Sequence, residues 1–168
     1  MVILGILLVN LAAQSSVFPF IQILHVKPDS LLILVVSFAL LAGNPTGALV
    51  GFFGGLIQDI LFGNNIGLYA LQYMVIGYMV GLLYRKLYVD RFFVPIMTIG
   101  ISNIIKQAIM FVYNFFMQSG IPFNKVVLQI VLPETLYTLI LAPLIFHYIY
   151  KLYRNKFMRK KNRFIKSV

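Results

Sequence analysis

Six apolar segments follow one another along this chain, joined by only short polar breaks: residues 2–24, 30–42, 45–62, 67–88, 92–118 and 124–150. Each break carries turn chemistry. The breaks are His25-Val26-Lys27-Pro28-Asp29, Gly43-Asn44-Pro45, Gly63-Asn64-Asn65, Val89-Asp90-Arg91 and Ser119-Gly120-Ile121-Pro122, rich in the residues that end helices and set turns. With 61% hydrophobic residues and only 11% charged ones, against roughly 25% charged in soluble domains, the chain has more apolar surface than one water-soluble core could hide. Lipid is the expected solvent. The expected fold class is an all-α polytopic membrane protein built as a bundle of six transmembrane helices.

A membrane-crossing helix needs about 20 apolar residues, which leaves 30–42 short. Joining it to 45–62 would make one helix of about 50 Å at about 1.5 Å per residue, far beyond the roughly 30 Å of a hydrocarbon core. The run Gly43-Asn44-Pro45-Thr46-Gly47 reads instead as a hairpin turn, with Pro45 suited to the first position of a helix. A positive-inside count agrees. With six spans and both termini cytoplasmic, Arg85, Lys86, Arg91 and the eight basic residues of 151–168 lie inside, and only Lys27 and Lys125 outside, eleven against two. Tyr84, Tyr88, Tyr148, Tyr150 and Tyr153 fall at the inner boundary, where an aromatic belt belongs. The first segment has no basic leader region and is read as a retained span rather than a cleaved signal. Residues 1–150 form one transmembrane domain and 151–168 a cytoplasmic tail.

The third segment is the most patterned. Gly47, Gly51, Gly55, Asp59 and Gly63 recur every four residues, with Gly54 and Gln58 beside them, and Gly77 and Gly81 repeat the device in the fourth segment. In lipid, close helix packing depends on small residues that let backbones approach. The ridge is therefore a seat for another helix: within the bundle, from a partner subunit, or beneath a small ligand.

Three ionisable residues fall inside spans: Asp59, Lys106 and Glu134. Each costs about 2.5–3.5 kcal/mol at mid-membrane on insertion scales unless paired. Counting from each segment's centre at about 1.5 Å per residue places Lys106 roughly 2 Å, Glu134 roughly 5 Å and Asp59 roughly 8 Å toward the outer face. A Lys106–Glu134 ion pair is expected, with Asp59 joining it or capping the outer end of the bundle. Asn10 and Gln14, four apart in the first span, read as interhelical hydrogen-bonding groups, and Pro133 as a bend in the sixth.

The tail residues Lys151, Arg154, Lys156, Arg159, Lys160, Lys161, Arg163 and Lys166 are interleaved with Phe157, Met158, Phe164 and Ile165. Adhesion to anionic headgroups, at about 1 kcal/mol per basic residue near the surface, is the expected role. A tail tethered at the membrane and lacking a recognition motif does not suit nucleic acid. There is no cysteine, and no phosphate loop, HExxH or GxSxG motif. No catalytic residue, metal site or cofactor is expected.

Along Gly47-Ala48-Leu49-Val50-Gly51-Phe52-Phe53-Gly54-Gly55-Leu56-Ile57-Gln58-Asp59, then Gly63 and Gly67-Leu68-Tyr69-Ala70-Leu71, the sequence resembles the MreD family of bacterial rod-shape-determining membrane proteins, as it does in size, layout and basic end. The resemblance implies a fold similar to the substrate-binding S-components of energy-coupling-factor transporters. It also implies a location in the bacterial cytoplasmic membrane and a non-catalytic place in the rod complex, or elongasome. There it would partner the MreC transmembrane helix in a machine that links MreB filaments to the RodA glycosyltransferase and a penicillin-binding transpeptidase, in support of cell shape and peptidoglycan synthesis. The alternative is a substrate-binding membrane subunit of an energy-coupling-factor-type transporter, for which Ala12 and Ser16 offer a partial small-residue docking face.

Overall fold

The structure is a computed structural model, and it describes residues 2–16, 28–62, 67–84, 93–116 and 131–154. These form six helices and no strand: α1 (Val2–Ser16), α2 (Ser30–Ala42), α3 (Asn44–Phe62), α4 (Leu68–Gly81), α5 (Phe93–Phe116) and α6 (Leu132–Arg154). Three of them hold stretches long and apolar enough to cross a membrane: Asn44–Phe62, Phe93–Tyr113 and Leu132–Tyr153. Ser30–Ala42 and Leu68–Gly81 are apolar but shorter. The expected first segment reached residue 24; α1 is described to Ser16, and 17–27 lie outside the described residues.

The short second helix is the axis of the bundle. Ser30 through Leu41 are all buried, and α2 packs against each of the other five helices. A helix that is apolar all round belongs in an interior. Its 13 residues rise about 20 Å, and the surrounding helices shield it from lipid, so it need not span a bilayer unaided.

Asp29 caps the start of α2, its Oδ1 accepting the Leu32 N–H at 2.9 Å. One residue ends it. Gly43 takes φ 91° and ψ 177° and donates its N–H to the Ala39 carbonyl; its own carbonyl accepts the Gly47 N–H at 2.9 Å. The chain thus reverses between α2 and α3 through a single residue, and an added Cβ at Gly47 would sit 2.5 Å from that of Ala39. Gly43 lies in backbone space that side chains do not share, worth about 1–3 kcal/mol of strain, and a Cβ there would stand 3.2 Å from the Tyr84 ring. Gly43→Ala is therefore expected to lower unfolding free energy in detergent by about 1–3 kcal/mol, measured beside Asn44→Ala as a neighbouring control. Equal stability of the two variants would contradict this account of the turn.

From this hairpin the helices alternate in direction. Gly47 faces Gly77, Gly51 faces Tyr73 and Gly55 faces Ala70, so α4 returns along α3, one turn answering another. α5 and α6 are likewise antiparallel, with Gly100 beside Leu139 and Asn103 beside Thr135. Accordingly α2, α4 and α6 all start at the Asp29 end and run toward the Gly43 end.

The surface is inverted relative to a soluble protein. Phe53, Leu71, Met97, Ile101, Ile140 and Leu144 are exposed, while Gln58, Asp59, Gln72, Asn103, Lys106 and Gln107 are buried. Pro133 was expected to bend the last span. It occupies the second position of α6, where a proline N–H is not needed, and the interior proline is Pro143. Lacking an N–H, Pro143 leaves the Leu139 carbonyl without its helical donor.

Candidate functional site

Most of the buried polar residues lie toward the Asp29 end. Lys106, halfway along α5, reaches two carboxylates from two other helices: its Nζ lies 2.5 Å from Asp29 Oδ2 and 2.6 Å from Glu134 Oε1. Tyr73 of α4 donates its hydroxyl to Asp29 Oδ2 at 2.7 Å, and Gln107 donates to Glu134 Oε2 at 2.5 Å. The Asp29 N–H donates to Thr138 of α6 at 3.2 Å, and Ser30 donates to Asn10 of α1 at 3.1 Å. Lys106 thus ties α2, α5 and α6 directly, while Tyr73 and Asn10 bring in α4 and α1.

The structure brings together Lys106 and Glu134, the two residues matched by depth, and adds Asp29, which sequence reasoning assigned to a turn outside the membrane. The signal was present, since an Asp directly before an apolar helical run is an N-cap candidate. The cap oxygen facing away from Leu32 is the one that meets Lys106. Tyr73, Gln107 and Thr138 were not singled out either, because single polar residues inside apolar segments carry no spacing signal.

Asp59 does not join Lys106. Its carboxylate accepts the N–H groups of Gly67, Tyr69 and Ala70 at 3.0, 3.2 and 3.0 Å. Gly67, at the N-cap of α4, supplies no side-chain cap, and Asp59 on the preceding helix performs that role, favoured by the positive end of the α4 dipole. It closes the α3–α4 hairpin at the Asp29 end.

The glycine ridge is filled by this same hairpin. An added Cβ at Gly55 would lie 2.6 Å from Ala70 Cα, and the closest backbone atoms at Gly51, Gly77 and Gly81 would be nearer still. Gly54 turns aside toward Leu31 and Leu7. At Gly47, Gly51 and Gly55 no room remains for a partner's helix. Gly63 lies outside the described residues, as do Lys156, Arg159, Lys160, Lys161, Arg163 and Lys166. Lys151 is exposed in the last turn of α6, and that helix ends at Arg154.

Gln14, Gln58, Gln72 and Asn103 each bury an amide oxygen with no hydrogen-bond partner. The orientation of Asn103 is set, because its Nδ2 donates at 3.1 Å to Thr135 Oγ1, whose own proton goes to the Val131 carbonyl at 2.6 Å. Among the described residues no three His, Cys, Asp or Glu side chains are grouped to hold a metal.

Exposed apolar helices around a buried ionic and amide network define a small membrane-embedded helical protein. Residues 1–156 match the family described as rod shape-determining protein MreD, and the chain belongs to that family, a structural family of cell-shape determination. Comparison with curated proteins and with solved structures gave no match.

Proposed function

We propose that this protein is a non-catalytic scaffold of the rod complex. In this reading it crosses the cytoplasmic membrane six times with both termini inside, binds the MreC transmembrane helix, and so supports peptidoglycan synthesis by RodA and its transpeptidase beside MreB filaments. The basic tail holds anionic headgroups at the inner face. The family match over nearly the whole chain carries the proposal. Two features of the fold accord with it. Among the described residues, the charged side chains at the Asp29 end are engaged with one another (Lys106 with Asp29 and Glu134) or with backbone N–H groups (Asp59). The glycine ridge is spent on the α3–α4 hairpin, leaving the outer helix faces for partners.

Purification of the tagged, full-length chain from native membranes tests this directly. MreC, with RodA and the transpeptidase, is expected to be enriched. Recovery of an ATPase-linked transporter module in their place would overturn the scaffold reading in favour of a transporter subunit.

A further inference from the structure

The α3–α4 hairpin is closed at both ends. At one end a single residue, Gly43, turns the chain into α3, and Gly81, the last residue of α4, meets the Asn44 backbone. At the other, only residues 63–66 join Phe62 to Gly67, and the Asp59 carboxylate holds the Gly67, Tyr69 and Ala70 N–H groups. Between these ends the helices meet backbone to backbone at Gly51 and Gly55, so neither can slide to lengthen the pair. α3 rises about 26 Å from Pro45 to Phe62, and α4 with its closing turn about 26 Å from Gly67 to Tyr84. A hydrocarbon core is roughly 30 Å thick. Any tilt shortens the reach of the hairpin further. α5 is not limited in this way: Phe93 and Phe116, both exposed, stand about 35 Å apart along its axis.

We infer that the α3–α4 face seats lipids with shorter acyl chains and draws the bilayer in to about 26 Å beside it. The face is apolar up to its last turn: Phe53, Ile60, Leu61 and Phe62 of α3 and Leu71 and Met79 of α4 are exposed. A span shorter than the core is accommodated by thinning the bilayer, by flanking side chains that snorkel, or by association with another protein. Snorkelling needs a long polar side chain. The turn at the Asp59 end, Gly63-Asn64-Asn65-Ile66, supplies none, and Asp59 itself is 1% exposed and held by backbone. At the opposite end Arg85 and Lys86 follow Tyr84, but the neighbouring turn into α3, Gly43-Asn44-Pro45-Thr46, is again short and uncharged, so this end cannot sink into the core. The polar ends do not reach out to the headgroups; the headgroups come to them. The inference rests on one part of the scaffold reading, that α3 and α4 lie in lipid.

The chain has no tryptophan, so a single introduced tryptophan reports on the lipid at one place. Three full-length variants serve: Phe53→Trp, half-exposed and midway along α3; Met74→Trp, on the exposed face of α4; and Ile104→Trp, exposed midway along α5. Each is reconstituted in phosphatidylcholine of ordinary chain length mixed with brominated phosphatidylcholine of shorter or longer chain, which quenches a tryptophan that it touches. At Phe53→Trp and Met74→Trp the shorter lipid is expected to outcompete the longer by about twofold or more, in line with the modest cost of each ångström of mismatch. Ile104→Trp should discriminate less. Quenching at α3 and α4 with no preference, or with preference for the longer lipid, overturns the inference, as does equal preference on α5. Absence of quenching at Phe53→Trp and Met74→Trp by lipid of any length would take these helices out of lipid altogether, and would overturn both the inference and the membrane layout of the scaffold reading.

Discussion

Replacing Lys106 with methionine is expected to lower the stability of the folded protein by about 3–5 kcal/mol, the range for removing one partner of a buried ion pair. Methionine fills similar space, so the loss is electrostatic rather than a packing defect. The ammonium of Lys106 lies between Asp29 and Glu134 at 2.5 and 2.6 Å. Without it, the Asp29 carboxylate keeps only the Tyr73 and Leu32 donors and faces a second carboxyl across a water-poor interior. Reversible unfolding in mixed micelles measures the effect. A cycle with Glu134→Leu isolates the pair: the double variant should lose clearly less than the two single losses combined, because removing Glu134 relieves part of what Lys106→Met leaves unbalanced. Strict additivity would mean that the two side chains do not communicate.

The second large effect belongs to the seam between α3 and α4. Gly51→Val places a branched side chain where even a Cβ would overlap the Tyr73 backbone. Overpacking of a tight interior costs about 1–3 kcal/mol when side chains can adjust. Here the obstacle is backbone, so the helices themselves must separate. That separation also pulls Tyr73 from Asp29 and disturbs the Asp59 cap on α4, which adds to the steric term. Gly51→Val is expected to abolish accumulation of folded protein in membranes, and Gly51→Ala to weaken it. Gly5→Ala, where nothing lies within 4 Å, should be neutral. Normal accumulation of Gly51→Val would show that α3 and α4 are not in backbone contact.

The sequence was most legible where a physical demand leaves a simple trace. The limits of the central helix could be read as 30–42 because Pro28-Asp29 and Gly43-Asn44 mark both ends, and α2 occupies that range. The four-residue glycine period showed that something must approach α3 closely. It did not show that the visitor is α4, because periodicity describes one face and not its partner. Depth counting paired Lys106 with Glu134 because both interrupt long apolar runs. Asp29 escaped because its place between Pro28 and an apolar run suits a solvent-facing turn equally well; only the alternating packing, with α4, α5 and α6 converging on the start of α2, makes that turn an interior position. Asp59 was open between two roles for a related reason. Its reach to Gly67, Tyr69 and Ala70 depends on how tightly α4 returns, which the glycines permit but do not specify.

The central claim is that Lys106 bridges Asp29 and Glu134 within the membrane-embedded bundle. A solid-state magnetic resonance distance measurement tests it with least intermediary. With 13C in the side-chain carboxyl of the sole glutamate and 15N on lysine side chains, in lipid bilayers, the carboxyl signal should be strongly dephased by nitrogen, as the 2.6 Å Nζ to Oε1 separation requires. The effect should vanish in Lys106→Met. An undephased glutamate carboxyl in the wild-type protein would contradict the bridge and the helix arrangement built around it.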